Sequence, residues 1–203
     1  MTKGLETRDA ILLRATELAS QVGLGGLSIG ALAEDLELSK SGLFAHFGSK
    51  ENLQIQVLEH AAMDFTEAVV RPALKESRGE PRMRALFERW LAWDKDGLLP
   101  GGCVFVAAAT ELDDRPGPVR DRLVELQRLW LDLLAGSFQK GILAGRFRSD
   151  ADPDQFAQDL HGVMLAFHHA MRLMADPEAE SRARRAFDAL IAAALRPGVQ
   201  HPT

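Results

Sequence analysis

Apolar residues recur at three- and four-residue steps along nearly the whole chain, and no valine- or threonine-rich run alternates with period two. Each segment can therefore bury one face as a helix, and none offers the alternating register of a strand. The chain is read as all-α. Abundant alanine and leucine and the absence of tyrosine agree with that reading. The breakers then set the helix lengths. Thr7 is placed to cap a first helix to about Gln21, with Ile11, Ala15, Leu18, Ala19 and Val22 on one face, and Gly23, Gly25 and Gly26 end it. Ser28 caps a second, short helix holding Ile29, Leu32, Ala33 and Leu36. After the break Glu37-Leu38-Ser39, Ser39 caps a third over 40–46. Gly48 interrupts again, and Ser49 caps a long fourth helix that Pro72 should end or bend.

Beyond Pro72 the pattern predicts helices over about 81–96, 104–112, 118–143, 153–174 and 177–195. Loops fall at 97–102, 113–118 and 145–153, where Asp152 is a cap and Pro153 stands at a first helical position. Phe147 lies in the last of these loops and is expected to close over core. The tail 196–203 is expected to fray. That makes about nine helices. The organisation expected is a short N-terminal domain of three helices over 1–48 and a larger helical-bundle domain over 49–203.

No stretch approaches eighteen uncharged apolar residues, so no membrane span is expected. The opening MTKGLETRDAILLRA has no apolar signal core, which leads to the expectation of a cytoplasmic protein. Cys103 is the only cysteine, so an intrachain disulfide and a multi-cysteine zinc finger are both excluded. Its flanks, GG-C-VFVAAA, read as a buried helix start rather than a reactive thiol. His161, His168 and His169 share one helix but lack the three- or four-residue spacing of paired ligands, so no metal and no cofactor is expected. Neither a nucleophile–base spacing, a phosphate loop nor a paired carboxylate site is found, and the chain is not read as an enzyme.

Positions 28–47 carry the main signal. Two short helices joined by a tight turn can lay the second in a major groove. Leu32, Leu36, Leu38, Leu43 and Phe47 form an apolar seam fixing their angle, with Ala33 small at the close approach. Gly42 keeps bulk away from the duplex. Lys40, Ser41, Phe44, Ala45 and His46 then face outward, and Ser28, Ser39 and Lys50 add donors at helix N-termini suited to phosphate. Charge opposes this reading. The formal net charge is −5, and the first 60 residues hold five Lys or Arg against eight Asp or Glu. Periodicity alone leaves open a three-helix bundle with a purely structural role.

The run GLGGLSIGALAEDLELSKSGLFAHFGSKENL, Gly23 to Leu53, resembles the N-terminal domain of the TetR family of bacterial transcriptional regulators. The family's features fall on Gly23, Ser28, Leu32-Ala33, the run Ser39 to Phe47, and Lys50-Glu51 with Leu53. Two departures are present. Phe44 replaces the usual tyrosine, whose hydroxyl commonly reaches a phosphate, and the order Lys-Ser-Gly at 40–42 replaces Lys-Gly-Ser. The segment GGCVFVAAATELDDRPGPVRDRL resembles a motif around the sixth and seventh helices of one subgroup.

The resemblance implies a homodimer on a palindromic operator in double-stranded DNA, with a small-molecule cavity among the fourth to eighth helices and an interface from the last two. Candidate pocket residues are Phe65, Phe87, Trp90, Phe105, Trp130, Met164, Phe167 and His168, each of which reads equally as packed core. Their apolar surface points to a hydrophobic or aromatic effector. Candidate interface residues are Phe156, Leu160, Val163 and Met171, then Phe187, Leu190, Ile191 and Ala194; completion of the monomer core is the alternative. The function implied is a repressor released from its operator by an effector. The alternatives are an activator, an effector-independent regulator, or an interaction module without DNA binding.

Overall fold

Caps and breakers decide where each helix stops in the computed structural model, which describes residues 2–95 and 99–196, with side chains from residue 8 onward. Part of the loop expected over 97–102 and the tail beyond 196 lie outside the described residues. Among those described there are nine helices, counting a π turn and a short final segment as the end of the fourth. They are α1 (Thr2–Gly26), α2 (Ile29–Asp35), α3 (Lys40–Phe47), α4 (Lys50–Phe65), α5 (Glu80–Lys95), α6 (Val104–Leu112), α7 (Pro118–Leu143), α8 (Pro153–Arg172) and α9 (Ala179–Ala194). The only other bridge among them is one antiparallel contact between Phe147 and Leu195. None of these helices is long and apolar enough to cross a membrane.

Three local expectations need correcting. Helix α1 begins at Thr2 and runs through Thr7 instead of starting there, and its regular turn breaks at Gly23, which adopts φ 75°. Its buried face is Ile11, Leu12, Ala15, Thr16, Ala19 and Ser20, while Val22 is 56 % exposed. The two hydroxyls bury without cost because each returns to its own helix: Thr16 Oγ1 donates to the Leu12 carbonyl and Ser20 Oγ to that of Glu17. Pro72 neither ends α4 abruptly nor simply bends it. Proline has no N–H to give and its ring crowds the carbonyl four residues back. The chain widens into a π turn over Thr66–Val70 and closes with Arg71–Ala73.

The packing divides the chain into two compact units. One takes the residues up to Phe65 together with those leading to Gln127; the other takes Thr66–Lys95 and the chain from Arg128 onward. In the first, α1 packs against α4 and α6, and α2 packs against α3. In the second, α8 and α9 pair along their length, with α5 against both. Its interior is aromatic. Phe138 stacks on Phe147 and Phe156 at 4.4 and 4.0 Å, and Phe87 stacks on Phe187 at 4.4 Å. Phe147 thus closes over the core from its loop, 1 % exposed. Division by packing therefore differs from a cut after residue 48, which remains a division of proposed roles.

Candidate nucleic-acid interface

Helix α3 begins where Ser39 breaks from the turn before it. Its backbone is extended at φ −72°, ψ 144°, and its Oγ accepts the Gly42 amide at 3.0 Å. Ser28 caps α2 in the same way through the Ala31 amide, and Ser49 caps α4 through the Asn52 amide. Leu43 and Phe47 of α3 and Leu32 and Ala33 of α2 are all buried, and the two helices pack on each other. The seam is narrower than the sequence predicts. Leu38 is 36 % exposed, Leu36 only half-buried, so neither is a core member of it. Gly42 also has a nearer reason for its size: a Cβ there would lie 2.9 Å from Ser39 Oγ, crowding the cap itself.

What remains on the outer edge is the predicted set. Ser28, Ser39, Lys40, Ser41, Gly42, Phe44, Ala45 and Lys50 are exposed. Phe44 presents a 51 % exposed ring. His46 is half-buried, its ring tilted on that of Phe47 with centroids 6.2 Å apart. Ser39 Oγ and Ser41 Oγ lie 3.3 Å apart, so two hydroxyls sit together at the N-terminus of α3, where the helix dipole favours an anion.

The cations are placed differently from what their positions in sequence suggest. Lys40 lays its stem across α2, close enough that a Cβ on Gly30 would lie 3.1 Å from Lys40 Cε. Lys50 Nζ donates to the Gly25 carbonyl at 2.6 Å, tying the start of α4 to the end of α1 and leaving two N–H groups for other acceptors. Gln54 Nε2 reinforces that tie on the Leu24 carbonyl at 2.7 Å. Arg14 is engaged inside the unit: Nε donates to Asp35 Oδ2 at 2.6 Å and Nη1 to Glu17 Oε2 at 2.8 Å. That hydrogen bond from Arg14 holds the Asp35 carboxyl below its usual range, so Asp35 at the end of α2 stays ionised but matched. Sequence reasoning missed the Arg14–Asp35 pair and the anchoring role of Lys50. Nothing local signals either, since the partners stand 21 and 25 residues apart.

The candidate pocket residues fall in both units. In the first, Phe65 and Phe105 meet edge to face at 6.1 Å. In the second, Trp90 meets Phe167 edge to face at 6.4 Å, and Trp130 and Met164 are buried. His168 Nδ1 lies 2.8 Å from Asp94 Oδ1, and Arg172 donates to the Asp94 main-chain carbonyl at 3.1 Å. Asp94 is a fully buried carboxylate on α5 that the sequence reading did not single out. Phe87 is taken up in the stack on Phe187.

The candidate interface residues separate by face. Phe156, Leu160, Phe187, Ile191 and Ala194 are buried inside the single chain, so little of their area is left to meet a second copy. Val163, Met171 and Leu190 keep part of theirs. Val163 and Leu190 line an open groove of about 830 Å³ between α8 and α9, floored by Gly162, Ala166, Ala170, Ala186 and Ala189.

Residues 11–57 match the family model described as bacterial regulatory proteins, tetR family, and residues 79–187 match the tetracyclin repressor-like C-terminal domain. The second match alone spans more than half of the chain. Among curated proteins, the chain is 25 % identical over 160 residues to the HTH-type transcriptional repressor AcnR of Corynebacterium diphtheriae, covering 79 % of this chain and 78 % of that one. Among solved structures, a TetR transcriptional regulator from Chloroflexus aurantiacus is similar with TM-score 0.84 and 25 % identity, covering 95 % of this chain and 96 % of that one. The fold is also that of AibR in complex with isovaleryl coenzyme A and operator DNA, with TM-score 0.71, 21 % identity, and 93 % and 97 % of the two chains covered.

Proposed function

Since the chain belongs to the TetR family of bacterial DNA-binding transcriptional regulators, we propose that it is a homodimeric repressor released from a palindromic operator by a small, mostly apolar effector. The observation that carries this reading is the outward edge of α3. Ser39 to His46 stands capped and largely exposed on a rigid base of Leu32, Ala33, Leu43 and Phe47. An edge so presented enters a major groove as a unit, with the hydroxyls of Ser39 and Ser41 and the ammonium of Lys40 toward phosphate. Phe44 offers an apolar ring to a thymine methyl or a sugar face, where a tyrosine would add a hydroxyl. The DNA-reading role belongs to 1–48 and the effector and dimer roles to 49–203.

Repression is supported by the relative AcnR, which is a repressor, and a small-molecule effector by AibR, whose structure is in complex with isovaleryl coenzyme A and operator DNA. In this chain Trp90, Trp130, Met164 and Phe167 supply apolar lining. His168, oriented by Asp94, supplies a polar anchor. The second copy packs on the small-residue groove between α8 and α9, so a two-fold axis pairs two reading helices with two half-sites. Such a regulator works in the bacterial cytoplasm. The test is a mobility shift of the full-length protein on fragments from its neighbouring promoters, read alongside sedimentation. A folded dimer that retards no fragment at any salt concentration rejects the proposal.

A further inference from the structure

Three side chains from two helices converge on the few residues that end α1. Lys50 and Gln54 of α4 donate to the carbonyls of Gly25 and Leu24. Glu111 of α6 reaches the same place from the other side. A Cβ on Gly23 would lie 2.6 Å from Glu111 Oε2, and one on Gly25 would collide with Glu111 Oε1. The carboxylate therefore occupies the space that any side chain at 25 would need. Only 19 % of the Glu111 side chain is exposed, and its ion pair with Arg115 is long, at 3.8 Å. Gly23 is also the point where α1 leaves helical geometry, at φ 75°, ψ 166°.

The segment before α6 grips the preceding turn of α1. The Gly101 amide donates to Ser20 Oγ at 2.9 Å, and Gly101 approaches so closely that a Cβ would overlap the Ser20 carbonyl. Segment 99–112 thus holds α1 on both sides of its break, at Ser20 through main-chain contact and at Gly23 and Gly25 through a carboxylate. The pair α2 and α3, which carries the Ser39 to His46 edge of the proposed function, follows that break, because α2 begins at Ile29.

We propose that Glu111 is a positioning residue for DNA reading: wedged against Gly23 and Gly25, it fixes the angle at which α2 and α3 leave α1. The inference rests on the regulator reading above. Its physical content is preorganisation. A hinge of glycines is free to swing, and a wedge that fills the glycine notch removes that freedom before DNA arrives, so less ordering remains for binding to drive. The two glycines and the glutamate form one device, since a Cβ at 25 would push the carboxylate of 111 out of the notch.

The experiment uses the full-length protein with Glu111→Ala, Glu111→Gln and Gly25→Ala, each measured on the promoter fragment that the wild type retards, at several salt concentrations. Hydrogen exchange over residues 29–47 is followed in parallel. Glu111→Ala and Gly25→Ala should weaken binding about tenfold at every salt concentration, leaving the log–log salt slope unchanged because no phosphate contact is lost. Exchange in α2 and α3 should quicken while that in α8 and α9 does not. Glu111→Gln keeps the wedge and should bind within about threefold of wild type. A purely structural role for Glu111 would lower thermal stability and leave affinity per folded dimer intact, which overturns the proposal; so does wild-type affinity and exchange in Glu111→Ala. Should Gly25→Ala not fold, the two Glu111 variants decide. Should the wild type retard no fragment, the regulator reading fails, and the exchange of α2 and α3 in Glu111→Ala still decides whether the wedge holds them.

Discussion

Single residues in this chain carry conformations and charges that follow from their neighbours and can be changed one at a time. Glu37 holds φ 54° in the turn between α2 and α3, a left-handed conformation that its Cβ resists. Exchange of Glu37 for glycine relieves that strain and should stabilise the protein by about 1 kcal/mol, the cost of the left-handed conformation to an L side chain. Denaturant unfolding checks it: the midpoint should rise with the m-value unchanged. His161 on α8 shows the opposite kind of constraint. Burial pushes its imidazole below the ordinary value of 6.5. With the folded value below the unfolded one, the unfolded chain binds more protons as the pH falls. The stability contributed is complete above about 6.5 and is lost as the pH drops through the folded value. Thermal unfolding between pH 7.5 and 5.5 should therefore fall less steeply for His161→Gln than for wild type; parallel curves would remove His161 from the acid response.

At the scale of helices, the capped starts and the bounds of the later helices are legible in the sequence, and their faces are not. Ser28, Ser39 and Asp152 announce helix starts in sequence, and in the structure each accepts the amides that its helix leaves unpaired. The apolar period also assigns α5 to α9 to within a few residues. It does not say which of two apolar faces goes inward. On α8 and α9 the large residues Phe156, Leu160, Phe187 and Ile191 go to the core of their own chain, while Ala166, Ala170, Ala186 and Ala189 stay wholly or partly outward. Large side chains bury more area per residue, so the monomer takes them first. Partners distant in sequence leave no local trace either: Asp94 finds His168 74 residues away. The outward alanines give the prediction at this scale. Ala189 is exposed in the groove, so Ala189→Arg should leave the fold of one chain intact. Sedimentation equilibrium should show the dimer replaced by monomer, with circular dichroism unchanged. A variant that remains dimeric would place the interface elsewhere.

For the molecule as a whole, charge and DNA binding must be reconciled. A formal −5 per chain gives −10 for two chains, taking −5 twice, and that field repels a polyanion at long range. The structure adds that Arg14 is committed to Asp35 and Glu17, which leaves Lys40 and Lys50 as the cations on the reading edge. Two copies then neutralise about 4 phosphates through side-chain charge, and counterion release sets a log–log salt slope of about −4. Hydroxyls and helix N-termini contribute contacts that do not steepen it in the same way. Operator binding should accordingly tolerate moderate salt, while binding to random-sequence DNA should be weak, because attraction without shape is nearly absent. Lys40→Ala should make the slope shallower by about 2 in the dimer, one cation from each copy, and weaken all sequences alike. Titration of fluorescent operator against ionic strength measures both. A wild-type slope steeper than about −7 would mean that basic groups outside the reading edge hold the duplex, and recognition would then have to be rebuilt from those groups instead of from α3.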